Sequence, residues 1–165
     1  MNGLRDFYEP RRRGGKIVLV VTLATALLAI AVVATGCGSA KAKGVHGTSI
    51  AYVKSLHSKH TLQQGVVSMI LLNPNLTFVV GVDNSGDYLE HNVKVTLLIK
   101  QKPQPIRKSL TIGQIRSGAK RDVVFKGFNV TEVVNMIPIK VSVAPVSGET
   151  NLVNNSATYE VRFTF

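Results

Sequence analysis

"MIPIKVSVAPVSGETNLVNNSATYEVRFTF", residues 136–165, decides the fold. Ile137, Ile139, Val141 and Val143 stand at every second position of its first run. Tyr159, Val161, Phe163 and Phe165 do the same in its last, against Thr158, Glu160, Arg162 and Thr164. A period of two marks a strand with one buried face, because successive side chains leave opposite sides of a pleated backbone. Between the runs, "APVSGETNLVNN" supplies the Pro, Gly and Asn that a chain reversal needs. Pro138 lacks an N–H and fits only near a strand start or on an edge.

Working outward, the pattern recurs. Leu76, Phe78, Val80 and Val82 share one face of "LTFVVGVD", and Val93, Val95, Leu97 and Ile99 share one face of "NVKVTLLIK". "PIRKSLTIG" aligns Ile106, Leu110 and Ile112, with Lys108 as the misfit that marks an edge strand. "RDVVFKGF" adds Val123 and Phe125, and "GVVSMILL" a further strand. The turn segments "DNSGD", "QKPQP" and "RSGAK" separate the runs. Six or seven strands over about 100 residues predict an all-β, immunoglobulin-like antiparallel β-sandwich at residues 61–165. Sheets with one wet face explain the polar alternates, whereas a parallel sheet buried on both faces does not.

The N-terminal part has a different chemistry. Residues 17–34, "IVLVVTLATALLAIAVVA", carry no charge. At 1.5 Å per residue such a helix spans about 27 Å, close to the roughly 30 Å of a hydrocarbon core. Arg5, Arg11, Arg12, Arg13 and Lys16 precede it, and only Lys41 and Lys43 follow closely. That imbalance places a cytoplasmic tail at 1–16 and the C-terminal domain outside the cell membrane. "ATGC", residues 34–37, resembles a bacterial lipobox, which makes Cys37 a lipidation candidate. The apolar run is longer than a signal peptide's usual 7 to 15 residues, which favours an uncleaved transmembrane helix over residues 17–36. Either way the protein is expected at the cell membrane, single-pass or lipid-anchored, with a linker at 37–60 whose first half is flexible and whose "TSIAYVKSL" alternates as a first strand does.

The net charge of +11 sits mostly beside the apolar run, where it can meet anionic headgroups, so it does not argue for nucleic acid. A single cysteine allows no intrachain disulfide, so the exported domain relies on its apolar core.

Three segments carry a family resemblance: "LTFVVGVDNSGDYLEHNVKVTLLI", "IRSGAKRDVVFKGF" and "IKVSVAPVSGETNLVNNSATYEV". Together they resemble the CARDB family, the cell-adhesion-related domain of bacterial envelope proteins, over Leu76 to Phe165. The matching residues are Asn84 and Gly86, then Gly118 and Val123, then Pro145, Glu149, Asn151, Asn154 and Asn155. The resemblance implies an immunoglobulin-like sandwich exported to the cell surface as an accessory or interaction module without catalysis. This chain departs from the usual family arrangement in having one copy with its own anchor.

Reactive constellations are few. Asp83, Ser85, Asp87 and Glu90 offer oxygens at short spacing, but Gly86 falls at the wrong point for an EF-hand loop, and hairpin formation explains the same letters. His57 and His60 have no nearby Cys or carboxylate to complete a metal site, and His46 and His91 stand alone. No nucleophile elbow or phosphate loop occurs, so neither an enzyme nor a cofactor is expected. Lys100, Lys102, Arg107 and Lys108 around one turn, and Arg116, Lys120, Arg121 and Lys126 around the next, form an anion-binding rim if both turns emerge at one end. The sequence therefore predicts a membrane-tethered binding or spacing module, its partners the cytoplasmic membrane and an anionic envelope polymer or another envelope protein. The alternative is an envelope lipoprotein carrying a small ligand or metal.

Overall fold

The computed structural model describes residues 44–133 and 135–165; the basic tail, the apolar segment 17–36 and Cys37 lie outside the described residues. The strands are β1 (Thr48–Ser55), β2 (His60–Thr61), β3 (Val67–Leu71), β4 (Thr77–Asn84), β5 (Glu90–Ile99), β6 (Ile106–Ile115), β7 (Lys120–Lys126), β8 (Met136–Val143) and β9 (Ser156–Thr164). They form two sheets, ordered β2-β1-β4-β7 and β3-β9-β8-β5-β6. Among the described residues no helix is long and apolar enough to cross a membrane.

The faces assigned by periodicity hold. Leu76, Phe78, Val80 and Val82 from one sheet meet Val95, Leu97, Ile139, Val141 and Val161 from the other, all fully buried, with Phe125 and Phe163 among them. Each such side chain stabilises the fold by about 1.5–3 kcal/mol through removal of apolar surface from water. Pro138 is third in β8, and pairing of β8 with β5 begins only at Ile139, so the missing N–H falls at a ladder end. Lys108 lies on β6, an edge strand, as its misfit in the pattern implies.

Four expectations are corrected. The sandwich is not wholly antiparallel, because β3 runs parallel to β9 with Met69 opposite Arg162. The Leu62 amide is bonded to the Val53 carbonyl at 2.8 Å, which ties the chain to the four-stranded sheet. It then crosses through Gly65, at φ +74, and meets the other sheet's edge running in the direction of β9. Phe165 is 90 % exposed, because it lies past the last residue of β9, where no ladder fixes its face. Within the linker expected at 37–60, the strand read in "TSIAYVKSL" is present as β1 at Thr48–Ser55, so the sandwich begins before the expected boundary at residue 61. The fourth correction concerns the basic rim and follows from the placement of its turns, below.

Strand β1 shows why composition misleads there. Ile50 pairs with Val82 and Tyr52 with Gly81, so Ala51 is an extra residue, a bulge that shifts the alternation by one. Thr48 and Ile50 face inward before it, and Val53 and Ser55 after it, while Tyr52 is turned to the outer face. A single-phase search sees only half of each pattern.

Because the chain joins the sandwich at Thr48, the proximal end gathers residues 44–47, the β4–β5 turn, the β6–β7 turn and the β8–β9 connection. The distal end carries the β1–β2, β3–β4, β5–β6 and β7–β8 connections. At about 3.3 Å per residue, the eight residues of β1 alone separate the ends by about 26 Å.

Candidate functional site: the two ends of the sandwich

The proximal end is a clasp of buried hydrogen bonds. Asn84, 1 % exposed, donates from Nδ2 to the carbonyls of Tyr88 (2.7 Å) and Ile115 (2.9 Å), and its Oδ1 accepts from the Gly86 amide (2.9 Å). One short side chain thus joins the end of β4 to the turn that leads into β5 and to the end of β6, and Asn suits it because it both donates and accepts. Residues 45–47 lie against this turn: Ser85 and Gly86 donate to the Gly47 carbonyl, Asp87 donates to that of Val45, and the Val45 amide returns a bond to Asp87 Oδ2 at 2.8 Å. A Cβ on Gly86 would stand 2.7 Å from the Gly47 nitrogen and the Val45 oxygen, so only glycine permits this approach.

Glu149 closes the other side. Its carboxylate accepts from the Thr48 amide (2.6 Å), the Val146 amide (3.0 Å) and Asn155 Nδ2 (2.9 Å), fixing the start of β1 to the β8–β9 connection. His46 stacks on Tyr88 at 4.4 Å between ring centroids, and its Nδ1 lies 2.8 Å from Glu90 Oε1. His46, solitary in sequence, is therefore part of the clasp.

The acidic loop disperses rather than converges. Asp83 pairs with Lys120 at 3.4 Å, Asp87 with the Val45 amide and Glu90 with His46. Among the described residues no group of three or more His, Cys, Asp or Glu is arranged to hold a metal ion. His57 Nε2 lies 2.7 Å from Asn73 Nδ2, and His60 is exposed on β2.

The eight basic residues do not form one rim, because their two turns bracket β6 and so lie at opposite ends. Arg116, Lys120 and Arg121 stand at the proximal end among Asp83, Asp87, Glu90 and Glu149. Lys100, Lys102, Arg107, Lys108 and Lys126 stand at the distal end, joined by Lys59 of the β1–β2 turn. Lys108 points inward at the sheet edge, where its Nζ donates to the Lys126 carbonyl at 2.8 Å and lies 5.2 Å from the Phe128 ring. It bridges the edges of the two sheets and discourages pairing along β6. Glu160 lies opposite Pro138 at this end, and Glu132 accepts from the Lys102 amide (2.7 Å) and Asn135 (3.0 Å). The Lys102 amide, followed by Asn135, holds its carboxyl below the usual range, so it stays ionised in place. Beside it an open groove of about 570 Å³ is lined by Gln101, Arg107, Asn129 and Thr131 among others.

A cross-strand row on the outer face of the four-stranded sheet was not evident from sequence. Tyr52 lies over Gly81, where an added Cβ would come within 2.5 Å of its ring, and its hydroxyl donates to Asp122 on β7. Lys54 and Lys120 lie 4.9 and 5.6 Å from the ring centroid. The bond to Asp122, then burial and the charges of Asp122 and Asp83, push the phenol up to about 12. A glycine in mid-strand is the signal that points to it, since something must cover the bare backbone.

This two-sheet body is similar in fold to solved CARDB domains. The CARDB domain of a Pyrococcus furiosus protein, crystallised in complex with two metal ions, aligns at TM-score 0.54 and 20% identity, covering 73% of this chain and 90% of that one. The solution structure of the same domain aligns at 0.53 and 19%, covering 73% and 97%. A domain named as belonging to a cell surface protein of Methanosarcina acetivorans aligns at 0.52 and 19%, covering 73% and 93%. No family model and no curated protein matches the chain. At one residue in five identical the likeness shows the fold: the body of this chain is a CARDB-type β-sandwich.

Proposed function

We propose that this protein is a membrane-tethered, outward-facing CARDB-type module that acts by binding or spacing at the cell surface, with no reaction of its own. The observation that carries the reading is the order of parts. An uncharged stretch at 17–34, flanked by five cations before and two after, is followed within a few residues by a sandwich that takes up the chain at Val45. The apolar side chains of both sheets fill the interior, so contacts with other molecules fall to the outer surface. The naming of a fold neighbour as a cell surface protein supports the same address.

Protease added to intact cells tests it. The sandwich is expected to be cut, or an epitope appended to it lost, without lysis. Cutting confined to lysed cells, with the isolated protein shown to be cleavable, overturns the proposal. Intact mass spectrometry of the purified protein decides the tether: we expect residues 1–36 to be retained, and a chain beginning at an acylated Cys37 overturns the spanning helix.

A further inference from the structure

We propose that the distal end of the sandwich is a docking surface for a linear polymer carrying phosphate charges along its length. The proposal deepens the reading above and rests on it for the setting in which such a polymer is met. The binding itself depends only on the sandwich.

The two ends carry different charge. Proximally, Arg116, Lys120 and Arg121 stand among four carboxylates, one of them paired with Lys120. Distally, Lys59, Lys100, Lys102, Arg107, Lys108 and Lys126 outnumber two carboxylate side chains: Glu132, whose oxygens accept from the Lys102 amide and Asn135, and Glu160, opposite Pro138 on β9. Every one of these cations except the half-buried Lys108 is exposed. A one-signed cluster at one end attracts a polyanion from a distance and releases its counterions on contact.

Arrangement favours a thread over a flat surface. Arg107 pairs with Leu98 on the outward side of one sheet, Lys126 with Thr77 on the outward side of the other, and Lys108 spans the edge between them. The cations thus pass round the β6–β7 edge, a path that a flexible chain can follow and a bilayer plane meets only in part. Five of the six are lysines, which engage phosphate as point charges without the planar fork that bidentate carboxylate pairing rewards.

The test uses the full-length chain in non-ionic detergent, with inorganic polyphosphate, polygalacturonate, and phosphatidylglycerol or phosphatidylcholine vesicles as probes. One variant changes Lys59, Lys100, Lys102, Arg107 and Lys126 to Gln, leaving Lys108 its structural bond. A control changes Lys94, Arg116, Lys120 and Arg121, which lie towards the proximal end, to Gln. Wild type and control are expected to bind polyphosphate alike. The distal variant is expected to bind at least about tenfold more weakly at low salt, with the slope of log Kd against log salt flattened by about three to five. Should it fail to fold, a variant with the four distal lysines changed to Arg keeps the charge and is expected to hold wild-type affinity. Equal weakening by the distal and control sets, tighter binding of polygalacturonate than polyphosphate, loss of affinity in the Arg variant, or binding to phosphatidylglycerol vesicles without binding to polyphosphate each overturns the proposal. Failure of the cell-surface assay alone moves the domain elsewhere and leaves this binding result standing.

Discussion

The two ends of the sandwich are built on opposite plans. At the proximal end, buried Asn84 and the Glu149 carboxylate each satisfy several backbone or side-chain groups, and the incoming chain is sewn to the β4–β5 turn by main-chain bonds. At the distal end the long side chains are exposed and cationic, and side-chain bonds such as His57–Asn73, Lys102–Glu132 and Lys108–Lys126 lie at the surface. The difference teaches that buried bonding gathers where the chain enters the sandwich at Val45, and exposed charge gathers at the opposite end.

The sharpest way to break this contrast is to remove one hub from each end. Asn84→Ala removes the side-chain donor of the Tyr88 and Ile115 carbonyls and leaves the Gly86 amide only its bond to the Gly47 carbonyl, and should cost about 2–4 kcal/mol. Glu149→Ala should fall in the same range, because it releases the start of β1 and the β8–β9 connection together. For a domain of this size that is a fall in melting temperature of roughly 10 °C or more. Glu132→Ala, at the surface of the distal end, should barely move the midpoint. Thermal melts followed by circular dichroism settle the matter, and a distal loss as large as the proximal ones would erase the distinction.

How much of this the sequence discloses depends on range. Period-two patterning assigns the buried faces of β4, β5, β8 and β9, because a side chain's face is a local property of the strand. It says nothing of neighbours, so the parallel seating of β3 beside β9 and the joining of three strands by Asn84 are invisible until pairing is known. The hubs do stand in the segments that carry the CARDB resemblance, as Asn84 in "DNSGD" and Glu149 and Asn155 in "ETNLVNN". Their letters announce turns without saying that the turns are fastened across the fold. The division of the basic residues is the opposite case. Two turns that bracket one extended strand must lie at opposite ends, so a count of strands is enough to dissolve the single rim.

Between the ends, the outer face of the four-stranded sheet offers the next test. Gly81→Ala puts a methyl group into the Tyr52 ring, which must swing away from Asp122; the expected loss is about 1–3 kcal/mol. Gly81→Ala in a Tyr52→Ala background should lose much less, since nothing then occupies the space. Additive losses in the double variant would show that the ring is not what the glycine accommodates.

A smaller effect is expected where the sheet edges meet. Lys108→Ala removes the bond to the Lys126 carbonyl and the contact with Phe128, at about 1 kcal/mol, and also the inward charge that guards β6. Sedimentation velocity should then show self-association absent from the parent. A strictly monomeric variant would mean that β6 is protected by something other than this lysine.

The smallest effect appears only in alkaline solution, and it separates the sheet face from the distal turn by sign. Tyr52 is held protonated by its bond to Asp122, with its phenol pushed from an ordinary value near 10 up to about 12. A group whose folded value is raised stabilises fully below its unfolded value and loses that contribution as pH climbs through the folded one. The stability gap between the parent and Tyr52→Phe should therefore be constant through neutral pH, narrow above about pH 10 and close beyond about pH 12. Subtracting the variant cancels the lysines that titrate in the same window. Glu132 runs the other way: its carboxyl is lowered, mainly by the Lys102 amide, so its contribution is present above the ordinary carboxylate value and fades as acid protonates it. Alkali therefore reads the Tyr52–Asp122 row and acid reads the β5–β6 turn. A Tyr52→Phe gap that persists unchanged beyond about pH 12 would mean that the contribution of Tyr52 does not depend on its phenolic proton.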